Sequence, residues 1–152
     1  MTDVSIFIDG DACPKTVKDI LFKAANRTRT LCTLVANHYS KVPPSSFIKY
    51  RKVDKGFDKA DDLIETLVNA KDLVVTSDLP LAEACLLKKA FALSPRGELF
   101  DLGTIKQKLA IRDLNETLRA SGIHSGGPSQ LSEKDIRQFA NHLDRWLSQN
   151  RK

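Results

Sequence analysis

At 152 residues, with 41% hydrophobic and 28% charged side chains, the chain is long enough to bury its own core and has the make-up of a soluble globular domain. No apolar run approaches the roughly 20 residues of a membrane helix, and three cysteines, Cys13, Cys32 and Cys85, are too few and scattered for a disulfide framework or a zinc cluster. The net charge of +5, from 24 Lys+Arg against 19 Asp+Glu, suits a polyanionic partner without requiring one.

The opening residues pass straight into an apolar strand, with no basic leader ahead of a long apolar stretch, so a cytoplasmic protein is expected. Residues 4–8 read as a short strand ending in Asp9-Gly-Asp11. A helix is predicted over 15–26, where Val17, Ile20, Leu21 and Ala24 recur at helical spacing. Residues 31–36 form a buried strand; a loop carrying Pro43-Pro44 follows, then a strand over 47–53. Residues 58–70 are helical, with Ala60, Leu63, Ile64, Leu67 and Val68 on one stripe. Residues 73–76 make the next buried strand, 81–88 the next helix, and 91–93 a short extended piece. Two further helices, over 103–120 and 132–148, are joined by a glycine-rich turn at 121–129. Ser132 and Asp135 have capping-box spacing, and Ile136, Phe139, Ala140, Leu143 and Leu147 line one face.

Strands and helices that alternate in this way imply a parallel sheet covered on both faces. The expectation is one α/β domain over residues 1–150: a three-layer α/β/α sandwich with a mostly parallel sheet, plus C-terminal helices that pack back on it. Ligands of such folds bind beyond the carboxyl ends of the strands.

That rule directs attention to Asp9 and Asp11, just after the first strand, and to Asp78, which ends another in Val74-Val75-Thr76-Ser77-Asp78. If those strands are neighbours, three carboxylates meet on one edge. Like charges brought together are costly unless a cation neutralises them, and Mg²⁺ or Mn²⁺ is the natural match for carboxylate oxygens. Plainer roles compete: Asp11 can cap the helix near Pro14, and Asp78 can be the N-cap of the helix entered through Pro80. Asp9 has no such alternative. In helix 58–70, Asp62 and Glu65 lie opposite the apolar stripe, whereas Asp61 sits about 100° from its centre and can face inward; Asp58 and Asp61 also have capping spacing. Cys13, beside acidic residues in a loop, can be exposed, but a neighbouring carboxylate argues against a thiolate nucleophile.

The chain resembles the YaiI/YqxD family of bacterial proteins, which is grouped with PIN-like and NYN-type nuclease domains. The matching stretches are Asp9-Gly-Asp-Ala-Cys-Pro14, Leu34-Val-Ala-Asn37, Gly56-Phe-Asp-Lys-Ala-Asp61, Thr76-Ser-Asp-Leu-Pro-Leu-Ala82, Ser94-Pro-Arg-Gly-Glu98, Leu118-Arg-Ala-Ser-Gly122, Ser125-Gly-Gly-Pro128 and Phe139-Ala-Asn-His-Leu-Asp-Arg-Trp146. The resemblance implies a PIN-like fold with Asp9, Asp61 and Asp78 at the acidic positions and Asp11 and Asp58 beside them. It implies a Mg²⁺- or Mn²⁺-dependent nuclease acting on RNA or another nucleic acid, with Asp9, Asp11, Asp58, Asp61 and Asp78 as metal ligands or water-orienting groups. Asn37, His38 and Arg96 are candidate substrate contacts; the bland alternatives are loop polars for the first two and a pair with Glu98 for Arg96. Lys55-Gly-Phe-Asp58 is similar to a Lys-Gly-Val-Asp stretch of NYN domains. The pattern departs from NYN domains at Leu79-Pro80, which replaces a second acid, and at Asp11, where Asn is usual.

Two other readings compete. A nucleic-acid-binding module without catalysis would use Arg51, Lys52 and Lys55 with Phe47, Tyr50 and Phe57. A haloacid dehalogenase-type phosphatase also opens with strand-Asp-x-Asp, but it needs an acidic pair after the second motif, and here Asp61-Asp62 comes before it.

Overall fold

The computed structural model describes residues 4–38, 41–54, 59–120 and 131–150. Five strands, β1 (Ser5–Asp9), β2 (Leu31–Ala36), β3 (Ile48–Lys52), β4 (Leu73–Val75) and β5 (Phe91–Leu93), form one sheet in the order β3-β2-β1-β4-β5. Every pairing between these strands is parallel, and one isolated antiparallel bridge joins Leu93 of β5 to Leu99. The helices are α1 (Lys15–Thr28), α2 (Lys59–Leu67), α3 (Leu79–Leu87), α4 (Leu102–Ala120) and α5 (Glu133–Gln149).

Alternate residues of β1 build the two cores, as strand geometry demands. Ile6 and Ile8 face Val17, Leu21 and Phe22 of α1 and Phe139, Leu143 and Trp146 of α5. Phe7 faces the other way, with Val35 and Val74, onto Ile64 of α2 and Leu81 and Cys85 of α3. The expected three layers are thus present. The predicted stripe of α1 is buried at Val17, Leu21 and Ala24, with Ile20 packed partly against the same core.

Two expectations need correction. The second helix stops at Leu67 rather than residue 70. Asp72 captures the Asn69 amide at 2.8 Å, which draws the chain out of the helix and into β4. The other Asp72 oxygen accepts the Ser5 amide at 2.9 Å. Of the C-terminal helices, α5 packs broadly on the sheet, whereas α4 reaches it only at the β5 border. α4 instead lies on α3, through Ile105 against Ala82, Phe100 and the β5 residue Ala92, and leaves Ile111 and Leu114 each 58% exposed. The turn at 121–129 lies outside the described residues.

α5 is anchored at both ends. Ser132 and Asp135 form the predicted capping box, and the Trp146 indole donates to the Lys71 carbonyl at 3.0 Å. Between them, Gly97 in the turn after β5 has φ +86°, and a Cβ there would stand 2.5 Å from the Phe139 backbone nitrogen. Both the left-handed backbone and the close approach require glycine. Gly97→Ala is therefore expected to destabilise the protein by about 2–4 kcal/mol, read as a lowered urea midpoint with unchanged slope. A wild-type midpoint would mean that α5 does not bear on this turn.

Candidate functional site

All five strands point their carboxyl ends to one edge, and β1 lies between β2 and β4. Ile8 pairs with Val75, so Asp9 and the segment 76–78 leave the sheet side by side. A chain of hydrogen bonds ties them together. The Asp78 amide donates to Thr76 Oγ1 at 3.0 Å, and that hydroxyl donates to Asp9 Oδ2, also at 3.0 Å, in a buried setting. No other donor among the described residues reaches the Asp9 carboxyl.

Asp9 is only 9% exposed. Burial pushes its carboxyl above the ordinary value; the Thr76 hydrogen bond pulls it down, and the nearby charges of Asp78 and Asp11 push it up again. Gly10 opens a single 3-10 turn, Gly10–Ala12, pressed so closely on β2 that a Cβ would stand 2.5 Å from Leu34 Cδ1 and 3.2 Å from Ala36 Cβ. The turn carries Asp11 across to β2. Its carboxylate accepts the Asn37 amide through Oδ2 at 3.0 Å and Oδ1 at 3.3 Å. Asp11 does not cap α1, whose N-cap is Pro14 with no side-chain bond.

Asp78 does cap its helix: Oδ1 accepts the Leu81 amide at 2.9 Å, with Pro80 in the first turn of α3. The cap occupies one carboxylate oxygen. Asp61 is half-buried at the start of α2 and shares a 300 Å³ cavity with Asp62, Glu65, Asp78 and Arg112. Asp62 and Glu65 are exposed, as predicted. Asp58, with Lys55 and Phe57, lies outside the described residues. The edge therefore brings Asp9, Asp11 and Asp78 together and sets Asp61 on its flank.

The substrate candidates divide. Asn37 closes β2 against Asp11, and its buried Oδ1 has no hydrogen-bond partner among the described residues. His38 is exposed, and its carbonyl accepts the Tyr50 hydroxyl at 2.7 Å. Arg96 pairs with Asp135 at 3.0 Å and not with Glu98, which pairs with Lys108 instead. Arg96 and Lys108 stand on a cleft of 590 Å³ lined also by Pro14, Ser77, Leu79 and Leu131. Cys13 is buried rather than exposed, and burial pushes its thiol up to about 12, which removes it as a nucleophile. Sequence reasoning missed Thr76, whose only signal was a hydroxyl ending an apolar strand, and Lys108, which had none.

Whether these residues suit a divalent cation can be judged from the donor set. The oxygens are of the right hardness, and Asn37 Oδ1 is an acceptor without a donor among the described residues. Against that, no three of the His, Cys, Asp and Glu side chains among the described residues are arranged to enclose an ion, and Asp11 and Asp78 each accept a backbone amide. Mg²⁺ commonly keeps several waters and is held by one or two carboxylates plus substrate phosphates. The residues fit an open site of that kind and not a closed cage.

The raised Asp9 value has a pH signature. A carboxyl whose folded value exceeds its unfolded one holds an extra proton in the native state between the two. Its contribution to stability is full below the unfolded value and is lost as pH rises through the folded value. Asp9→Asn keeps an acceptor for Thr76 and removes the charge. It should melt above the wild type at pH 7, by a margin that vanishes below the ordinary aspartate value of 3.8. Circular-dichroism melts across pH test this, and a margin independent of pH would refute it.

Comparison with known proteins agrees on family. The UPF0178 protein of Colwellia psychrerythraea is 53% identical over 149 residues, covering 98% of this chain and 99% of that protein. The UPF0178 protein of Legionella pneumophila strain Lens is 53% identical over 148 residues, covering 97% and 100%. Among solved structures, that of Rae1 (YacP) from Bacillus subtilis, a mutant form, aligns with a TM-score of 0.41 and 18% identity over 95% of this chain and 98% of that one. The profile described as "Uncharacterized BCR, YaiI/YqxD family" matches residues 7–149, and the chain belongs to that family.

Proposed function

We propose that the carboxyl edge of the sheet hydrolyses phosphodiester bonds, with RNA as the substrate class, assisted by Mg²⁺ or Mn²⁺ held in an open site by one or two of the carboxylates Asp9, Asp11 and Asp78. The observation that carries this reading is the convergence of Asp9 and Asp78 from neighbouring parallel strands, bridged by Thr76. Three acids gathered on one edge, one of them nearly buried, make a charge cluster that needs a cation to be comfortable.

In this reading Asp9 supplies the central oxygen, and Thr76 fixes the orientation of its carboxyl by occupying Oδ2. Asp78 offers the oxygen that its helix cap leaves over. Asp11 holds the Asn37 backbone, and so presents the orphaned Asn37 Oδ1 beside the acids as an acceptor for a substrate hydroxyl or a water. Asp61 flanks the edge as an outer acid, and Asp58 is assigned the same role. His38 and Arg96 are proposed to contact the strand. A bound cation would neutralise the carboxylates and polarise a phosphoryl oxygen.

A second reading, a nucleic-acid-binding module without catalysis, is favoured by one observation, that no three-ligand group is arranged among the described residues. Single-stranded RNA incubated with Mn²⁺ separates the two. Wild type should cut it, and Asp9→Asn should lose about 100-fold or more in rate while remaining folded. Uncut RNA at millimolar Mn²⁺ would leave only the binding module.

Asp78 allows the cap and the chemistry to be separated. Asn caps helices about as well as Asp, and Ala costs about 1 kcal/mol. Asp78→Asn should therefore keep wild-type stability yet lose cleavage and the Mn²⁺-induced rise in melting temperature. Asp78→Ala should lose both stability and cleavage. An Asp78→Asn protein that cuts normally would reduce Asp78 to a cap.

A further inference from the structure

The carboxyl edge is chemically ordered along the sheet. At one border, β3 carries Lys49, Arg51 and Lys52, all exposed and without an ion pair among the described residues. Lys52 pairs in register with Ala36, directly before Asn37. In the middle stand Asn37, Asp11, Asp9 and Asp78. Beyond them, toward β5, opens the 590 Å³ cleft, which Ser77 and Leu79 join to Asp78 and which has Arg96 and Lys108 on its rim. Cations thus flank acids on both sides, and the four strand intervals between β3 and β5 amount to about 19 Å at the usual 4.8 Å spacing.

A polyanion can cross the acidic centre only where its neighbouring phosphates rest on positive charge. Arg51 and Lys52 offer that charge unpaired among the described residues. Lys108 offers it from an exposed pair with Glu98, the kind of pair that contributes little and that a phosphate can displace. The cleft has the volume of a small-ligand site, and Pro14, Leu79 and Leu131 give it an apolar lining. It lies one residue from Asp78, where a base leaving the stack beside the central phosphate would fall.

We infer that the substrate is a single strand laid across the edge from β3 to β5. Its phosphates lie on Arg51 and Lys52 at one end, and one unstacked nucleoside sits in the Lys108 cleft at the other. The inference rests on the hydrolytic reading for treating this strand as substrate, but its geometry is tested by binding alone. The span matches the shortest single-strand sites, of about four nucleotides. A duplex does not fit, because a paired base cannot enter the cleft.

The test is fluorescence anisotropy of the full chain with a fluorescein-labelled single-stranded RNA octamer in EDTA, so that nothing is cut. Arg51→Glu combined with Lys52→Glu should weaken binding about tenfold or more and lower the salt slope by about 2. Lys108→Glu, and Leu79→Trp, which narrows the cleft, should each weaken it severalfold, whereas Lys23→Glu on α1 should not. The same sequence as a blunt duplex should bind about tenfold more weakly or worse. Equal affinity for duplex and single strand, or full affinity in both Lys108→Glu and Leu79→Trp, would overturn the inference. Should Leu79→Trp fail to fold, Lys108→Glu decides alone. Binding that follows this pattern without cleavage in Mn²⁺ sinks only the hydrolytic reading. Cleavage that survives at the wild-type rate in every one of these variants sinks only the mapping.

Discussion

The candidate site depends on the parallel pairing of β1 with β4. These strands lie more than sixty positions apart in the chain, yet Ile6, Phe7 and Ile8 pair with Leu73, Val74 and Val75. Parallel pairing sends both strands out of the sheet on the same edge, and each ends in an aspartate or leads directly to one. Thr76 then converts adjacency into contact by accepting from one segment and donating to the other. An antiparallel arrangement of the same two strands would have put the two acids on opposite borders, and the chemistry proposed above would have had no seat.

The stability cost of this arrangement is distributed unevenly. Asp11 and Asp78 are anchored by backbone amides at 2.9–3.3 Å, so each is useful to the fold whatever else it does. Asp9 is buried, opposed by its neighbours and satisfied by one hydroxyl. A chain optimised for stability alone would have placed an apolar or neutral residue there. That contrast singles out Asp9 as the acid whose presence the fold itself does not explain.

Much of this was legible in the sequence, for definable reasons. The alternation of apolar strands with helical stripes announces a parallel sheet between two helix layers, and the rule that ligands sit beyond strand carboxyl ends picks out Asp9, Asp11 and Asp78. What escaped were effects of contact between distant segments. The early end of α2 depends on Asp72 reaching back to Asn69. The partner of Arg96 is Asp135, which comes close only because Gly97 lets the turn after β5 lie on α5. The docking of α4 on α3 was hidden because its apolar residues, Ile105, Leu109, Ile111 and Leu114, spread around the helix instead of marking one face. The competition between cap and ligand at Asp78 was visible in the sequence and is not a true alternative, since a carboxylate has two oxygens.

The cationic character of β3 carries a second consequence. It is a border strand whose outer row of amides and carbonyls has no neighbouring strand among the described residues, and such borders invite other molecules to add themselves as further strands. Lys49, Arg51 and Lys52 repel an identical border, so the charges that recommend this strip for a polyanion also guard the protein against assembling into fibres. Exchanging them for neutral residues to probe recognition would therefore disturb solubility as well, and selection for either property would leave the same three side chains in place.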